Sequence, residues 1–598
     1  MYSPIASQVE IMDFTGGLNV TKPPTDISDN QSPDCQNIIN NELIGINSRY
    51  GYTRYYSTAI GSLYINGLFV YNTFDSSDFI MAYGTSLLLD LTSSTSLLYS
   101  GMVSGVIRSF EMGGKIYFLD GSGYIQYDGS VTTQVSGRIP TYYINKNPDG
   151  ASGTQLDELN YIQSAFTETF NGDGTATTFY MTFGALTTGN NTVIVNNATL
   201  TSGGATAGFN VNYSSGYFTL TTAATTGVGN VEITTHKQVL ESTAISNCTF
   251  CETYGEGNDT FAFLSGNSSY PARIWWSDTS DPSYFPATSY ADVGVTNDKM
   301  MGFQKNNGAL QLWKYRSVHS FNGTPPDNSI TEMYVNNEGL IATDTLKLID
   351  GYPTCLSQRG VIQLSYGNEG YYFKLISEDI NGRIGIRDGL LTESNKNSAF
   401  AYDFDNKYWL YVNNKIYIYQ YDLTNVRSGK TVYPWEKWLL YNTPRCFVDK
   451  DNYLYFGNAG NLYKLDPDSV SDDGTAIDSH WYSKKFEING QHDWVKWFLY
   501  IYFNYRIRYG NANVSTTVFI DDVDTIVDAD TIITSFWNPN EFNPNAFNPN
   551  PGLNNIEKRL SLYKKGKYIQ FKVQCNTLNS TFTLLSAKID YMPDRKVV

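Results

Sequence analysis

The sequence predicts a mainly β protein: a β-propeller that carries an inserted small β-sandwich and ends in a C-terminal β-sandwich domain. Three observations predict it. Aromatic residues make up 15% of the 598-residue chain while charged residues make up only 17%. That balance disfavours intrinsic disorder, which is poor in aromatics, and helix bundles, which are rich in Ala, Glu, Lys and Leu. Short apolar segments separated by Gly, Asn, Asp and Ser recur from about Gly61 onward. Within them, Gly114 to Gly129 reads G-K-I-Y-F-L-D-G-S-G-Y-I-Q-Y-D-G, with Asp-Gly between alternating apolar residues, which is a strong hairpin signal.

Residues 1–60 are polar and turn-rich, an N-terminal arm with first strands. Phe14 and Leu18 flank a Gly-Gly turn, and Pro23-Pro24 blocks helix. Ser32-Pro33-Asp34 is a helix-start signal, with Ser32 as N-cap and Pro33 at the first position. Residues 61–165 form the first propeller part, through Leu63 to Tyr71, Phe79 to Tyr83, Ser86 to Leu91, Val106 to Met112 and Ile116 to Leu119. Residues 166–236 break the rhythm. They are rich in Thr, Gly, Asn and Ala, contain no Trp, and alternate in the manner of a small β-sandwich. Tyr142 to Asp149 and Gln238 to Ser246 are read as the linkers on either side. Residues 237–480 resume the propeller, with a grammar of apolar-Tyr-apolar, Tyr-Asp, turn, then Trp. Tyr408-Trp409-Leu410-Tyr411 and Trp435-Glu436-Lys437-Trp438 show it best. Four short strands in ~40–50 residues is the size of a propeller blade. Residues 481–598 change to long strands, Trp494 to Ile507, Val514 to Ile520, Tyr568 to Gln574 and Phe582 to Tyr591. Between them Trp537, Phe542 and Phe547 recur at every fifth position, each followed by Asn-Pro-Asn.

Chemistry-bearing patterns are few. The formal net charge of −17 argues against gripping nucleic acid, which takes Lys and Arg. The N-terminal residues lack the pattern of a secretory signal, and no apolar run approaches the ~20 residues of a membrane span. Six cysteines are too few for a disulfide scaffold, and Cys248-x-x-Cys251 lacks the second pair of a structural zinc site. Gly429-Lys430-Thr431 resembles the end of a P-loop, yet Thr424 stands where the first Gly is needed, so a hairpin turn is expected. No G-x-S-x-G elbow is present, and His236, His319, His480 and His492 have no metal or triad spacing. Asp521, Asp522, Asp524, Asp528 and Asp530 do not fit a calcium loop and are read as a solvated loop. Thr279 to Phe285 comes near the S-x-D-x-G-x-x-W box of sialidase propellers, but Ser283 replaces the glycine, leaving a strand-turn feature. No catalytic, metal-binding or cofactor-binding residue is expected. The Asn-Pro-Asn repeat is the one candidate site, a loop offering Trp537, Phe542 and Phe547 to a partner or a lid folded onto its own sandwich.

These residues carry a resemblance. D-F-T-G-G-L-N (Asp13 to Asn19), D-N-Q-S-P-D-C-Q-N (Asp29 to Asn37) and S-R-Y-G-Y (Ser48 to Tyr52) resemble the start of the nozzle or DNA-stabilisation proteins of short-tailed bacteriophages, with the tail tubular B proteins as more distant relatives. The likeness continues through R-I-W-W-S-D (Arg273 to Asp278), Y-D-F-D-N-K-Y-W-L (Tyr402 to Leu410) and the C-terminal strands. F-N-G-D-G-T-A-T-T-F (Phe170 to Phe179) resembles small sandwich modules inserted in phage virion proteins. The resemblance implies a non-enzymatic virion tail subunit, assembled in the host cytoplasm, usually six copies in a ring below the head-to-tail adaptor. Its implied partners are itself, the adaptor or a portal-proximal tail protein, fibre or needle components, and genomic DNA passing through without sequence-specific binding. No membrane insertion by this chain is expected. From charge, the surface facing the channel is expected to be net acidic, so that DNA slides rather than sticks. The alternative expectation is a carbohydrate-binding or receptor-binding tail propeller; a cellular propeller scaffold is a third.

Overall fold

Hairpin turns organise the chain. In the computed structural model, Gly113-Gly114, Asn307-Gly308, Asp350-Gly351, Asp405-Asn406, Asn413-Asn414 and Asp451-Asn452 all have positive φ at both positions. Each joins two directly paired residues, such as Val412 with Lys415 and Lys450 with Tyr453. That is the type I′ pattern, whose twist matches that of the flanking strands. Asn, Asp and Gly occupy these positions because other side chains are disfavoured at positive φ. The structure describes residues 7–41, 45–72, 77–91, 93–239, 243–255, 258–335, 337–368, 370–423, 425–427, 430–488, 494–506, 511–533 and 555–596. Among them there is no α-helix. The mainly β class therefore holds.

Two compact units divide the chain: residues 69–337, and residues 1–68 with 338–598. In the first, four-stranded antiparallel sheets follow one another in chain order. One runs through Arg108–Met112, Lys115–Leu119, Tyr124–Tyr127 and Thr132–Gln134. Another runs through Phe250–Tyr254, Phe261–Ser265, Arg273–Trp276 and Tyr290–Asp292. The next is Met300–Asn306, Ala309–Lys314, Ser317–Thr324 and Asp327–Val335. Strands of this kind alternate their side chains, and aromatics fill the space between consecutive sheets. Phe250, Phe263, Trp276, Phe303 and Phe321 form one such core. A buried Phe contributes about 1.5–3 kcal/mol over an exposed one.

The insertion in this unit is a two-sheet sandwich, with Phe166, Phe170, Phe179, Phe209 and Phe218 between its sheets. It differs from expectation on its leading side. Thr141–Lys146 was expected to be linker, yet it is a sandwich strand lying parallel to Ala165–Gly172. Tyr142 packs on Phe166 and Phe183, and Lys146 is buried against Glu168 at 2.9 Å, so tertiary packing recruits a segment whose local pattern is weak.

In the second unit, three further four-stranded sheets are described. The last of them combines Cys446–Lys450, Tyr453–Gly457 and Leu462–Asp466 with the early strand Gly51–Arg54. The C-terminal sandwich follows. One sheet holds Trp494–Arg506, Asn555–Gly566 and Thr583–Lys596; the other holds Asn511–Ile520, Val523–Ile533 and Ile569–Cys575. Phe503 meets Phe571 across them at 5.1 Å. The N-terminal strands Ser7–Ile11, Ile38–Asn41 and Gly45–Ser48 join the first sheet and Cys35–Gln36 joins the second. These early strands are thus woven into sheets with later ones, which covers strand edges that would otherwise present unpaired N–H and C=O groups.

Two local expectations are corrected. Ser32-Pro33-Asp34 opens no helix: the Ser32 hydroxyl donates to the carbonyls of Asp34 and Tyr482, and the chain enters the strand Cys35–Gln36. The acidic stretch after Ile520 is not a loop. Asp521-Asp522 is a two-residue turn with φ of 51° and 66°, and Asp524, Asp528 and Asp530 fall within the strand Val523–Ile533.

Candidate functional site

The N-terminal segments singled out by sequence form one strap within the second unit. Gly17 has φ +72°, and a Cβ there would lie 2.7 Å from the backbone of Trp435. A Cβ on Gly16 would lie 2.6 Å from Asn30 Oδ1. The glycine pair therefore serves close approach as well as turning. Leu18 N donates to Trp435 O at 2.8 Å, and Phe14 packs edge-on against Trp481 at 5.2 Å. Asn19 and Gln31 donate their amides to the two carboxylate oxygens of Asp379 at 3.0 and 2.8 Å. Val20 N donates to the Asp379 carbonyl at 2.9 Å. Asp34 takes the Lys437 ammonium at 2.9 Å, with His480 3.4 Å away. Although burial works against the charge, these neighbours hold the Asp34 carboxyl far below the usual carboxylate range. Glu436 is buried. Its Oε1 accepts from Asn40 N at 2.7 Å and its Oε2 from the Trp438 indole at 3.2 Å, yet burial pushes its carboxyl up to about 7.

Several of the groups capable of chemistry are used for structure. Cys248 is buried and donates its thiol to Ala244 O at 3.3 Å, and burial pushes the thiols of both Cys248 and Cys251 up, away from the nucleophilic thiolate. His236 Nδ1 lies 3.1 Å from Ser164 Oγ, and His319 Nε2 lies 3.3 Å from Ser317 Oγ. His492 lies outside the described residues. In the sialidase-like stretch, Asp281 accepts from Ser283 N and Oγ at 3.0 and 2.6 Å in a side-chain turn. Phe285 there is core. Lys430–Val432 pairs with Asn425–Arg427, the hairpin arrangement the sequence suggested, with Thr424 and Gly429 outside the described residues. No cluster of three or more His, Cys, Asp or Glu side chains suited to a metal occurs among the described residues.

One constellation escaped sequence reasoning. Arg138 stacks on the Tyr284 ring at 4.4 Å, pairs with Asp157 at 2.7 Å, and has Asp278 and Asp281 at 3.5 and 3.7 Å. Asn160 donates to the carbonyls of Arg138 and Ser283, both at 2.9 Å. Together they clamp the neck of the insertion to the Phe250–Asp292 sheet. Its members are scattered along the chain, so no local signal marks it.

Trp537, Phe542 and Phe547 lie outside the described residues. Two other surfaces offer partners something to hold. Residues 382–388, G-R-I-G-I-R-D, form a tight hairpin in which Arg383 and Arg387 exchange backbone hydrogen bonds at 2.9 and 2.8 Å. At its tip Ile384 and Ile386 are 75% and 66% exposed. Gly370–Leu375, the edge strand of its four-stranded sheet, begins with exposed Tyr371 and Tyr372. Tyr371 pairs with Tyr366, itself 73% exposed, with rings 4.9 Å apart.

No family model matches the chain, and no curated protein matches it. Solved structures with similarity include an extracellular domain of Bacteroides thetaiotaomicron described as a one-component system. It is 11% identical over 72% of this chain and 52% of that one, with a TM-score of 0.23. This chain thus spans about half the length of that domain. An exo-β-1,3-galactanase from Phanerochaete chrysosporium, solved with β-1,3-galactotriose, is 7% identical over 81% of this chain and 97% of that one, with a TM-score of 0.21. Likenesses at these TM-scores carry no argument about function.

Proposed function

We propose that the chain is a structural subunit of a short-tailed phage tail, of the nozzle or DNA-stabilisation type, forming a ring around the DNA exit channel below the head-to-tail adaptor. One observation carries the reading. The three segments that resemble the family, Asp13 to Asn19, Asp29 to Asn37 and Ser48 to Tyr52, are the parts that strap the second unit together. Their polar groups are spent on permanence: Asn19 and Gln31 on Asp379, and Arg49 on Asp472. A subunit that holds pressurised DNA needs such built-in cross-ties rather than a mobile cleft. In this reading the propeller sheets form the body and the acidic balance lets DNA pass. Electron microscopy of the purified full chain tests it. A closed ring with an axial hole is expected; monomers at every concentration would overturn it.

A carbohydrate-binding propeller is the second reading, favoured by the insertion's Tyr180. It is exposed and tilted against Tyr217 at 5.4 Å, in an insertion whose sequence is rich in Asn and Thr. Saturable binding on a glycan array, lost in Tyr180→Ala, would favour this reading over the nozzle.

A further inference from the structure

The loop 293–298, V-G-V-T-N-D, joins the sheet of 250–292 to the sheet of 300–335; its two ends are buried and 294–297 are exposed. Val293 packs into the aromatic core that the two sheets share. Polar groups hold the rest. Lys314, 0% exposed, donates its ammonium to the carbonyls of Val293 and Val295, the second at 2.9 Å. Asp298 accepts from Arg316 N at 2.9 Å and from Ser317 Oγ at 2.6 Å. His319, itself buried, lies beneath the exposed Gly294. That glycine has φ +55°, and a Cβ on it would lie 2.9 Å from the imidazole Cε1 and Nε2 and 3.5 Å from Lys314 Nζ. Because Ser317 Oγ gives its proton to Asp298, it accepts from His319 Nε2 at 3.3 Å, which places the neutral ring's proton on Nε2.

We infer that 293–298 is an acid-released catch worked by His319: protonating the imidazole sets a second cation against Lys314 beneath the loop, and the loop lets go while the sheets stay folded. Three charged groups bear on the ring. Lys314, at the end of the adjacent strand Ala309–Lys314, opposes its protonation. Asp298, at the end of the loop, and Glu332, directly paired with His319 on the strand Asp327–Val335, favour it. Geometry decides between them. Asp298 already has Arg316 N on one oxygen and Ser317 Oγ on the other, and Glu332 is exposed, where water and salt screen it. Lys314 is fully buried, where a charge is screened least. Burial first, and then the Lys314 charge, hold the imidazole below its usual 6.5. A histidine lowered on folding favours the native state in its neutral form. The loop is therefore held in full above pH 6.5 and weakens as pH falls below it, until the folded value is passed. Opening returns the ring to water and takes the second cation away from Lys314. The inference depends on neither functional reading above.

Hydrogen–deuterium exchange of the full chain from pH 8.0 to 5.5, with each rate corrected for its intrinsic pH dependence, tests it. The reporters are the amides of Asp298 and Met300, which donate to Val295 O and Pro271 O at 3.1 and 2.7 Å. Their protection is expected to fall about threefold to tenfold over that range, since pH 5.5 lies about one unit below the ordinary histidine value. The sheet of 108–134, which holds no histidine, is expected to keep its protection. His319→Gln cannot ionise, and its loop is expected to be as protected at pH 5.5 as at 8.0. A flat wild-type profile overturns the inference, and so does a fall that persists unchanged in His319→Gln. A fall shared equally by the sheet of 108–134 is global unfolding and overturns the local catch. Where His319→Gln does not fold, Lys314→Met decides. Without the buried cation the pH-dependent fall is expected to shrink to less than half, and an unchanged fall overturns the inference.

Discussion

Arg49 and Asp472 meet in a bidentate ion pair, Nη1 to Oδ1 at 2.7 Å and Nη2 to Oδ2 at 2.6 Å, with side chains only 0% and 2% exposed. The guanidinium also donates to Asn37 Oδ1, Tyr50 O and Leu439 O at 2.9, 3.0 and 2.8 Å, so its donors are fully used. Burying two charges is costly, and the cost is offset only by such complete pairing. Arg49→Met is expected to destabilise the chain by about 3–5 kcal/mol, because Asp472 keeps its charge without its partner. Adding Asp472→Asn to Arg49→Met is expected to recover part of that loss by removing the orphaned charge. Chemical denaturation of the two variants checks the order; an equal loss in both would show that packing, not charge, is what Arg49 supplies.

The turn chemistry gives a second expectation. Asn452 has φ +63° in the Asp451-Asn452 turn. Asn452→Gly supplies the favoured Asp-Gly pair and is expected to raise stability by a few tenths of a kcal/mol. Asn452→Val places a β-branched side chain in the left-handed region and is expected to cost on the order of 1–2 kcal/mol. Thermal melts that rank Val at or above Asn would contradict the turn assignment.

The insertion is expected to be removable, with a boundary that follows the sheets. Deleting residues 165–236 alone leaves Thr141–Lys146 without its partner strand and Lys146 without Glu168, so an aggregation-prone product is expected. Deleting 141–155 as well, while keeping Tyr161 and the Arg138–Asp157 clamp in the neighbouring core, is expected to leave a soluble, cooperatively melting protein. Size-exclusion chromatography and melting of the two deletions side by side decide it. Aggregation of both would mean that the sandwich is integral to its unit.

Much of the fold is legible in sequence because its determinants are local. The Asp-Gly pairs at 120–121 and 128–129 lie in hairpin connections as their pattern predicts, and the Tyr408–Tyr411 and Trp435–Trp438 segments appear as strands where the pattern places them. What was not legible is set by distant partners. Thr141–Lys146 is a strand because Tyr142 finds Phe166 and Phe183. Ser32 becomes a turn residue because Tyr482 O is there to accept. Val523–Ile533 was hidden by its carboxylates, although Asp521-Asp522 is an acceptable positive-φ turn pair and Asp524, Asp528 and Asp530 share the even spacing of a strand. At the candidate site, the glycines of the strap were visible as a turn, but their close approach to Trp435 and Asn30 was not. The Arg138 clamp has no local signature at all.

The Asn-Pro-Asn repeat keeps its expected role as a proposal. Replacing Trp537, Phe542 and Phe547 together by Ser is expected to weaken assembly more than subunit stability, since Pro-rich extended backbone loses little entropy on docking. Parallel measurement of sedimentation and melting checks this. An equal fall in the melting temperature of the monomer would support the lid instead.

Glu436 makes the stability of the strap depend on pH in a direction that can be worked out. Burial is the largest influence on its carboxyl, and the hydrogen bonds from Asn40 N and the Trp438 indole offset only part of it, leaving the folded state titrating at about 7 against an ordinary 4.5. A carboxyl raised on folding binds its proton more tightly in the native state. Its contribution is therefore full below pH ~4.5 and is lost as pH rises from there to about 7, after which no further loss occurs. At 1.36 kcal/mol per unit, the difference across that window is on the order of 3 kcal/mol. Glu436→Gln cannot ionise. Its amide oxygen can still accept from Asn40 N, but its NH2 cannot accept from the Trp438 indole, so the variant is expected to be less stable than the wild type at pH 4.5. As pH rises to 8 the wild type is expected to lose stability relative to the variant, and the gap to close or reverse. Melting temperatures of both proteins from pH 4.5 to 8 check it, and a stability difference that stays constant across that range would place the Glu436 titration elsewhere.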